Sequence, residues 1–336
     1  MKATTLIIAL LAAAEAADIP PTGTTPLREE AAKKDILIGS GAVNATYLDD
    51  PQFAAVLPLQ FNSLSPENEG KWMFFHPTED HYDWTSLDRI VDFAEDHDMV
   101  VKGHGLISGC CNPDYVLSIT DPTALRAAMA AHFEAFMQRY DCKRVDRWDV
   151  VTEALKTMGG GLNDNIFYNV LGSGYIADAF RIARAASPDA KLFLNENLVE
   201  SLPNKRQELY DIVHGLVADG VPIDGVALEM HVTEVAPPPG AITDIVNSYK
   251  ALGLEVVVSE MDVHTLNTPL ETEIYGAVIE EALNAGVTDI SFWGFTDKYA
   301  FTWLPGAKPL MFNETYWPKG AFYATHDSLA AFVNAP

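Results

Sequence analysis

Cysteine is scarce: only Cys110, Cys111 and Cys142 occur in 336 residues, and none stands in Cys-x-x-Cys spacing. That excludes a cysteine-rich zinc module and a thioredoxin-like redox centre, and an odd count leaves at least one thiol without an intramolecular partner. Basic residues are also few, 22 Lys and Arg against 47 Asp and Glu, for a net charge of −25. Such a surface repels phosphate backbones and anionic lipid, which excludes nucleic acid and membrane as partners. Beyond the first residues, no apolar run approaches the roughly 20 residues that a membrane-spanning helix needs. A dinucleotide-binding loop is missing as well, since Gly39-Ser40-Gly41 lacks the third glycine of that pattern.

What is present begins with a processing signal. Lys2, an apolar stretch over 6–13 and Ala14-Glu15-Ala16 form the charged, apolar and small-x-small regions of a secretory signal peptide. We therefore expect residues 1–16 to be removed, residues 17–336 to form a single catalytic domain, and the protein to be secreted and extracellular. Export makes Asn44-Ala45-Thr46 and Asn313-Glu314-Thr315 candidate glycosylation tripeptides in a eukaryotic host. Cys142 has two candidate disulfide partners, Cys110 and Cys111, and spacing does not choose between them.

Hydrophobic residues make up 48% of the chain, enough for a large core. From Lys34 onward, β-rich runs alternate with amphipathic stretches without a linker. The runs are residues 36–43, 60–64, 100–107, 147–155, 191–198, 224–232, 255–263 and 289–296. Between the third and fourth, Leu125, Ala128, Met129, His132, Phe133, Phe136, Met137 and Tyr140 keep helical i, i+3, i+4 spacing for four turns. Asn204 is placed to open one helix, and Gly220 and Gly253 to close two others. Eight strand-then-helix units in succession predict an α/β fold, a single (β/α)8 TIM barrel.

Barrel enzymes carry their chemistry where strands run into the following loops. Polar residues gather at those positions: Glu67, Asn68 and Lys71 after the second strand, His104 in the third, and Thr152 and Glu153 ending the fourth. Glu229 and His231 lie in the sixth, Glu260 and Asp262 in the seventh, and Trp293 in the eighth. Burying Glu153 and Glu260 behind valine runs costs several kcal/mol unless each charge is paired. Two carboxyls about 5–5.5 Å apart across a bound bond suit retaining glycoside hydrolysis. A second chemistry uses His104, Glu229, His231, Glu260 and Asp262 as metal ligands. The first strand offers no ligand, and Trp72, Trp148 and Trp293 suit stacking on sugar rings, so neither metal nor cofactor is expected.

These residues resemble glycoside hydrolase family 10, the retaining endo-β-1,4-xylanases, over nearly the whole mature chain. Residues 61–72, FNSLSPENEGKW, resemble the family's FNSLTPENEMKW, and residues 148–155, WDVVTEAL, resemble its WDVVNEAL. Val258-Ser259-Glu260-Met261-Asp262 and Trp293-Gly294-Phe295-Thr296-Asp297 resemble two further motifs. The resemblance implies Glu153 as acid/base, Glu260 as nucleophile and His231 as the group that orients it. It also implies Glu67, Asn68, Lys71 and His104 as contacts to the sugar on the non-reducing side, with Thr152, Glu229 and Trp293 completing the substrate-binding set, in a monomer acting on a carbohydrate or glycoside.

Departures from the family cluster around one sugar. Thr152 replaces an Asn, Glu229 a Gln, and Ser108-Gly109 a Trp and a His, while Asn195-Glu196-Asn197 stands for a longer Asn-Asp-Tyr-Asn. Phe301 and Trp303 are both candidates for the family's second cleft tryptophan. A widened pocket of this kind fits a bulkier substrate, and one fungal branch resembling the family removes the oligosaccharide from the saponin tomatine. The expected function is thus β-glycoside hydrolysis on xylan or such a modified glycoside. A non-catalytic carbohydrate-binding homologue is the alternative, followed by the metal-dependent hydrolase.

Overall fold

Eight valine-, leucine- and isoleucine-bearing runs become eight parallel strands that close on themselves in the computed structural model, which describes residues 19–335 apart from 142 and 144. The expected signal peptide and Cys142 lie outside the described residues; Cys110 and Cys111 both carry free thiols. The strands are β1 (Leu37–Val43), β2 (Ser63–Pro66), β3 (Val100–Gly103) and β4 (Val145–Thr152), then β5 (Lys191–Glu196), β6 (Gly225–Leu228), β7 (Glu255–Val263) and β8 (Asp289–Phe292). Each pairs in parallel with the next, and Leu37 opposite Asp289 brings β8 back to β1. This is the expected (β/α)8 barrel. Among the described residues no helix is long and apolar enough to cross a membrane.

Both faces of a barrel strand are covered, so its sequence reads as a near-continuous apolar run rather than an alternation. In β7 every residue after Glu255 is buried. The helices show the one-sided pattern instead. Asp121 caps Pro122–Arg139 by accepting from the Ala124 amide at 2.8 Å, and Leu125, Met129, His132, Phe133, Phe136 and Met137 turn inward. Gly220 (φ 66°) and Gly253 (φ 80°) follow the helices Pro203–Ala218 and Ala241–Lys250 as expected. Pro203 rather than Asn204 opens the first of these, since the fixed φ of proline suits the first helical position.

The main core lies between strands and helices. A second cluster, Phe193, Ala227 and Val257, sits apart from it. Ala227 is level with Asn195 and Val257, and Phe193 is two residues before Asn195, so the three share one face of the sheet. Strand boundaries differ from expectation where polar residues intervene. The second strand starts at Ser63, because Gln60 ends the helix Pro51–Gln60 and its Oε1 accepts from the Leu27 amide at 3.1 Å. The third and sixth expected runs each break in two. The pieces resume as Ile107–Ser108 and His231–Val232, after Gly105 (φ 73°) and Met230 (φ 63°) turn the backbone. The breaks lie at the barrel mouth, where the chain changes direction to aim side chains inward.

Candidate active site

A cavity of about 460 Å³ opens at the C-terminal ends of the strands, with Thr152, Glu153, Glu229, His231, Glu260 and Trp293 in its wall. Strand polarity puts it there: each parallel strand delivers its last side chains to the same rim. Gly41 makes room for the indole, since a Cβ at that position would lie 2.9 Å from Trp293 Cε3.

Glu260 is buried and surrounded by donors. Its Oε1 accepts from Asn195 Nδ2 at 2.7 Å and lies 3.6 Å from His104 Nδ1, while Oε2 lies 3.5 Å from His231 Nε2. Burial alone would raise its pKa, but the charge of His104 and the hydrogen bonds of His231 and Asn195 outweigh it, and Glu260 stays below the usual carboxylate range. Both histidines are backed by carboxylates. His104 Nδ1 is 3.1 Å from Asp149 Oδ2, and Asp149 Oδ1 is 3.5 Å from Lys102 Nζ. His231 Nδ1 is 2.8 Å from Asp262 Oδ1, which also lies 2.9 Å from His264 Nε2. Burial disfavours the His231 charge, yet Asp262, Glu260 and Glu229 together hold its pKa well above that of an ordinary histidine.

Glu153 follows the last residue of β4 with φ of 53°, a left-handed conformation that costs a non-glycine residue about 1–3 kcal/mol and persists only where its surroundings enforce it. They do so here: the Glu153 amide donates to Asn195 O at 2.9 Å, and Asn163 Nδ2 donates to the Glu153 carbonyl at 3.1 Å. Beyond this turn the carboxylate is exposed to the cavity, where Asn197 Nδ2 donates to its Oε1. Asn197 is in turn fixed by the fully buried Lys205, whose Nζ donates to Asn197 Oδ1 and lies 2.8 Å from Glu196 Oε1.

Glu229 and Thr152 differ from these in having polar atoms left over. Glu229 is only 3% exposed, and among the described residues neither its Oε1 nor Thr152 Oγ1 has a protein partner, although both residues face the cavity. Burial, then the charges of Glu260 and Glu153, push Glu229 well above the carboxylate range, which favours its protonated form. A protonated carboxyl and a hydroxyl each donate and accept, the capability that vicinal sugar hydroxyls require.

The structure brings Lys71, His104, Thr152, Glu153, Glu229, His231, Glu260 and Trp293 to one cavity. Glu67 and Asn68 are set back from it. Glu67 Oε2 accepts from Asn44 Nδ2 at 3.2 Å, and Asn68 reaches the site only through the 2.9 Å bond that Lys71 Nζ donates to its Oδ1. Two of the three tryptophans expected to stack on sugar are corrected. Trp72 stacks on His132 at 3.9 Å, and Trp148 packs on Phe136 at 4.8 Å; both are buried between strands and helices. Phe301 and Trp303 both line the cavity, and Trp303 stacks on His264 at 3.7 Å. Sequence reasoning missed the Asn197 contact to Glu153, its Lys205 support, and Cys110 in the wall. Among the described residues, three groups bring His and carboxylate ligand atoms within 4.8 Å of one another: Glu229–His231–Glu260, His104–Asp149–Glu260 and His231–Asp262–His264.

Known proteins resemble the chain over most of its length. The profile of glycosyl hydrolase family 10 matches residues 26–328. Endo-1,4-beta-xylanase B of Thermotoga neapolitana is 32% identical, over 90% of this chain and 91% of that protein. Native xylanase 10B from Thermotoga maritima superposes with a TM-score of 0.86 at 33% identity, over 92% of this chain and 99% of that one. Xylanase 10B from Thermotoga petrophila RKU-1, solved in complex with xylobiose, gives 0.87 at 31% identity, over 94% and 100%. The chain belongs to glycosyl hydrolase family 10 and is a retaining, endo-xylanase-like O-glycosyl hydrolase.

Proposed function

We propose that the protein cleaves internal β-1,4-xylosidic bonds by double displacement, with Glu260 as nucleophile and Glu153 as acid/base. The observation that carries this reading is the contrast between the two glutamates. Glu260 is buried yet kept ionised by His104, His231 and Asn195, as a nucleophile must be. Glu153 stands exposed to the same cavity, where a leaving oxygen and later a water can reach it. Glu260 attacks the anomeric carbon while Glu153 protonates the departing oxygen, and Glu153 then takes a proton from the water that hydrolyses the glycosyl-enzyme. His231, fixed by Asp262, orients the nucleophile. Thr152 and Glu229 offer their unpartnered oxygens to the sugar hydroxyls, Lys71 and His104 bind the glycone, and Trp293 lies against its ring; Glu67 and Asn68 extend that grip behind Lys71.

A second substrate class is favoured by the rim. Phe301 is 63% and Trp303 47% exposed, and a Cβ added at Gly109 would meet nothing closer than Asn165 Cβ at 3.9 Å. Exposed aromatic surface at the cavity mouth, with room for a Cβ at Gly109, suits a glycoside with a bulky apolar aglycone, such as the saponin tomatine. A non-catalytic binder and a metal-dependent hydrolase are the readings that family membership does not favour. Export after cleavage of residues 1–16 belongs to the same proposal, and amino-terminal sequencing of protein from culture medium tests it. The deciding experiment is a product-resolved screen on xylan, aryl xylosides and glucosides, and tomatine. Xylo-oligosaccharides released from xylan support the first reading, an intact oligosaccharide released from tomatine replaces it with the second, and cleavage of none overturns both.

A further inference from the structure

We infer that Glu229, His231 and Glu260 form a zinc-binding site that closes the cavity to substrate. His231 Nε2 lies 3.5 Å from Glu229 Oε2 and 3.5 Å from Glu260 Oε2. Ligand atoms of a tetrahedral zinc ion, each about 2.0–2.2 Å from the metal, stand about 3.4 Å apart. His231 stands at about that spacing from each carboxylate, and ligand atoms of all three groups lie within 4.8 Å of one another beside the cavity. Zinc displaces the protons of His231 Nε2 and Glu229 as it binds. His231 has the accompanying support: its other nitrogen is held at 2.8 Å by Asp262, the carboxylate–histidine arrangement that fixes a metal-binding tautomer. Glu229 adds an independent sign. It is 3% exposed, faces the cavity, and its Oε1 has no partner among the described residues.

The other two candidate clusters are less suited. Lys102 Nζ stands 3.5 Å from Asp149 and repels a cation there, while Asp262 Oδ1 is already shared by two histidines. The site depends on Glu229, because a neutral Gln in its place is a poor zinc ligand. Zinc bound here ties up Glu260, so it competes with the sugar; that consequence rests on Glu260 being the nucleophile.

Calorimetric titration of the full mature chain without a histidine tag, using zinc chloride and no substrate, tests the binding directly. One zinc per chain is expected, with a tenfold or greater loss of affinity in Glu229→Gln, and anomalous diffraction at the zinc edge places the ion between Glu229 and Glu260. Absence of binding, or unchanged affinity in Glu229→Gln with its circular dichroism unaltered, overturns the site. The measurement needs no turnover, so it stands apart from the catalytic assignment: an active Glu260→Ala enzyme would refute the nucleophile and leave the titration intact.

Discussion

Replacing Lys205 with Met should destabilise the protein in a pH-dependent way and loosen the acid/base. Lys205 is fully buried and pairs with Glu196 at 2.8 Å, whose other oxygen accepts from the Leu155 amide at 2.8 Å. Removing one member of a buried pair costs about 3–5 kcal/mol, because the remaining charge is left without compensation. Glu196 can escape that cost by taking a proton. Burial already pushes it up to about 6 against the pull of Lys205, so in the natural protein it contributes stability that is fully present below about pH 4.5 and lost as pH rises through 6. The shift of about 1.5 units corresponds to roughly 2 kcal/mol. Without Lys205 the pKa rises further, and the loss extends to higher pH. Urea denaturation followed by tryptophan fluorescence should therefore show Lys205→Met weakened by about 3–5 kcal/mol at pH 7.5 and by only about 1–2 kcal/mol at pH 4.5, where the neutral acid needs no counter-charge. An equal loss at both values would refute the pairing argument.

Three other perturbations follow from the same geometry. Glu260→Ala removes the attacking group and should lower kcat by about 10^4-fold or more on any substrate found, measured by reducing-sugar release; near-normal turnover would remove Glu260 from the mechanism. Asn197→Ala deletes a hydrogen bond to the acid/base carboxyl, worth about 0.5–1.5 kcal/mol, so kcat/KM on xylo-oligosaccharides should fall about 2- to 10-fold. Dinitrophenyl xyloside, whose leaving group needs no proton, should be affected far less, and equal losses on both would make Asn197 a merely structural residue. Gly103→Ala places a Cβ 2.1 Å from Trp148 Cε3 in a full core, and overpacking of this kind should cost about 1–3 kcal/mol or more in urea titration.

Much of the fold was legible because a barrel repeats one unit. The last run of β7 was readable to the residue, Glu255–Val263, since nothing polar interrupts it before the mouth. Errors lie where a strand gives way to the site. Residues 224–232 read as one run because Glu229 sits between the apolar Leu228 and Met230, yet the left-handed Met230 ends the ladder and swings Glu229 and His231 toward Glu260. The tryptophans fail for a different reason: an indole suits a sugar and a helix equally, and composition does not separate them. Alternation could have done so for Trp148. Its neighbour Asp149 reaches Lys102 and His104, so Trp148 must face the helices. Asn197 and Lys205 carry no such signal, because they meet Glu153 only after strand, loop and helix have been assembled.

Those assembled contacts give the two glutamates a common support that the altered sugar-facing residues leave untouched. Glu153 is tied through Asn197 to Lys205, and Glu260 through His104 and Asp149 to Lys102. Both lysines are buried. Each carboxylate is thus one or two hydrogen-bonding residues away from a fixed positive charge placed behind it, on the side away from the cavity. Thr152, Ser108 and Glu229 stand on the cavity side and take no part in either chain of contacts. Of these, only Glu229 brings another carboxyl to the pair, and burial with the charges of Glu260 and Glu153 raises its pKa, which disfavours a further negative charge beside them. Substrate choice can therefore change at the cavity wall while the charge of the reacting pair is set from beneath, and a wall substitution such as Thr152→Asn should alter KM between substrates far more than it alters the charge state of Glu260.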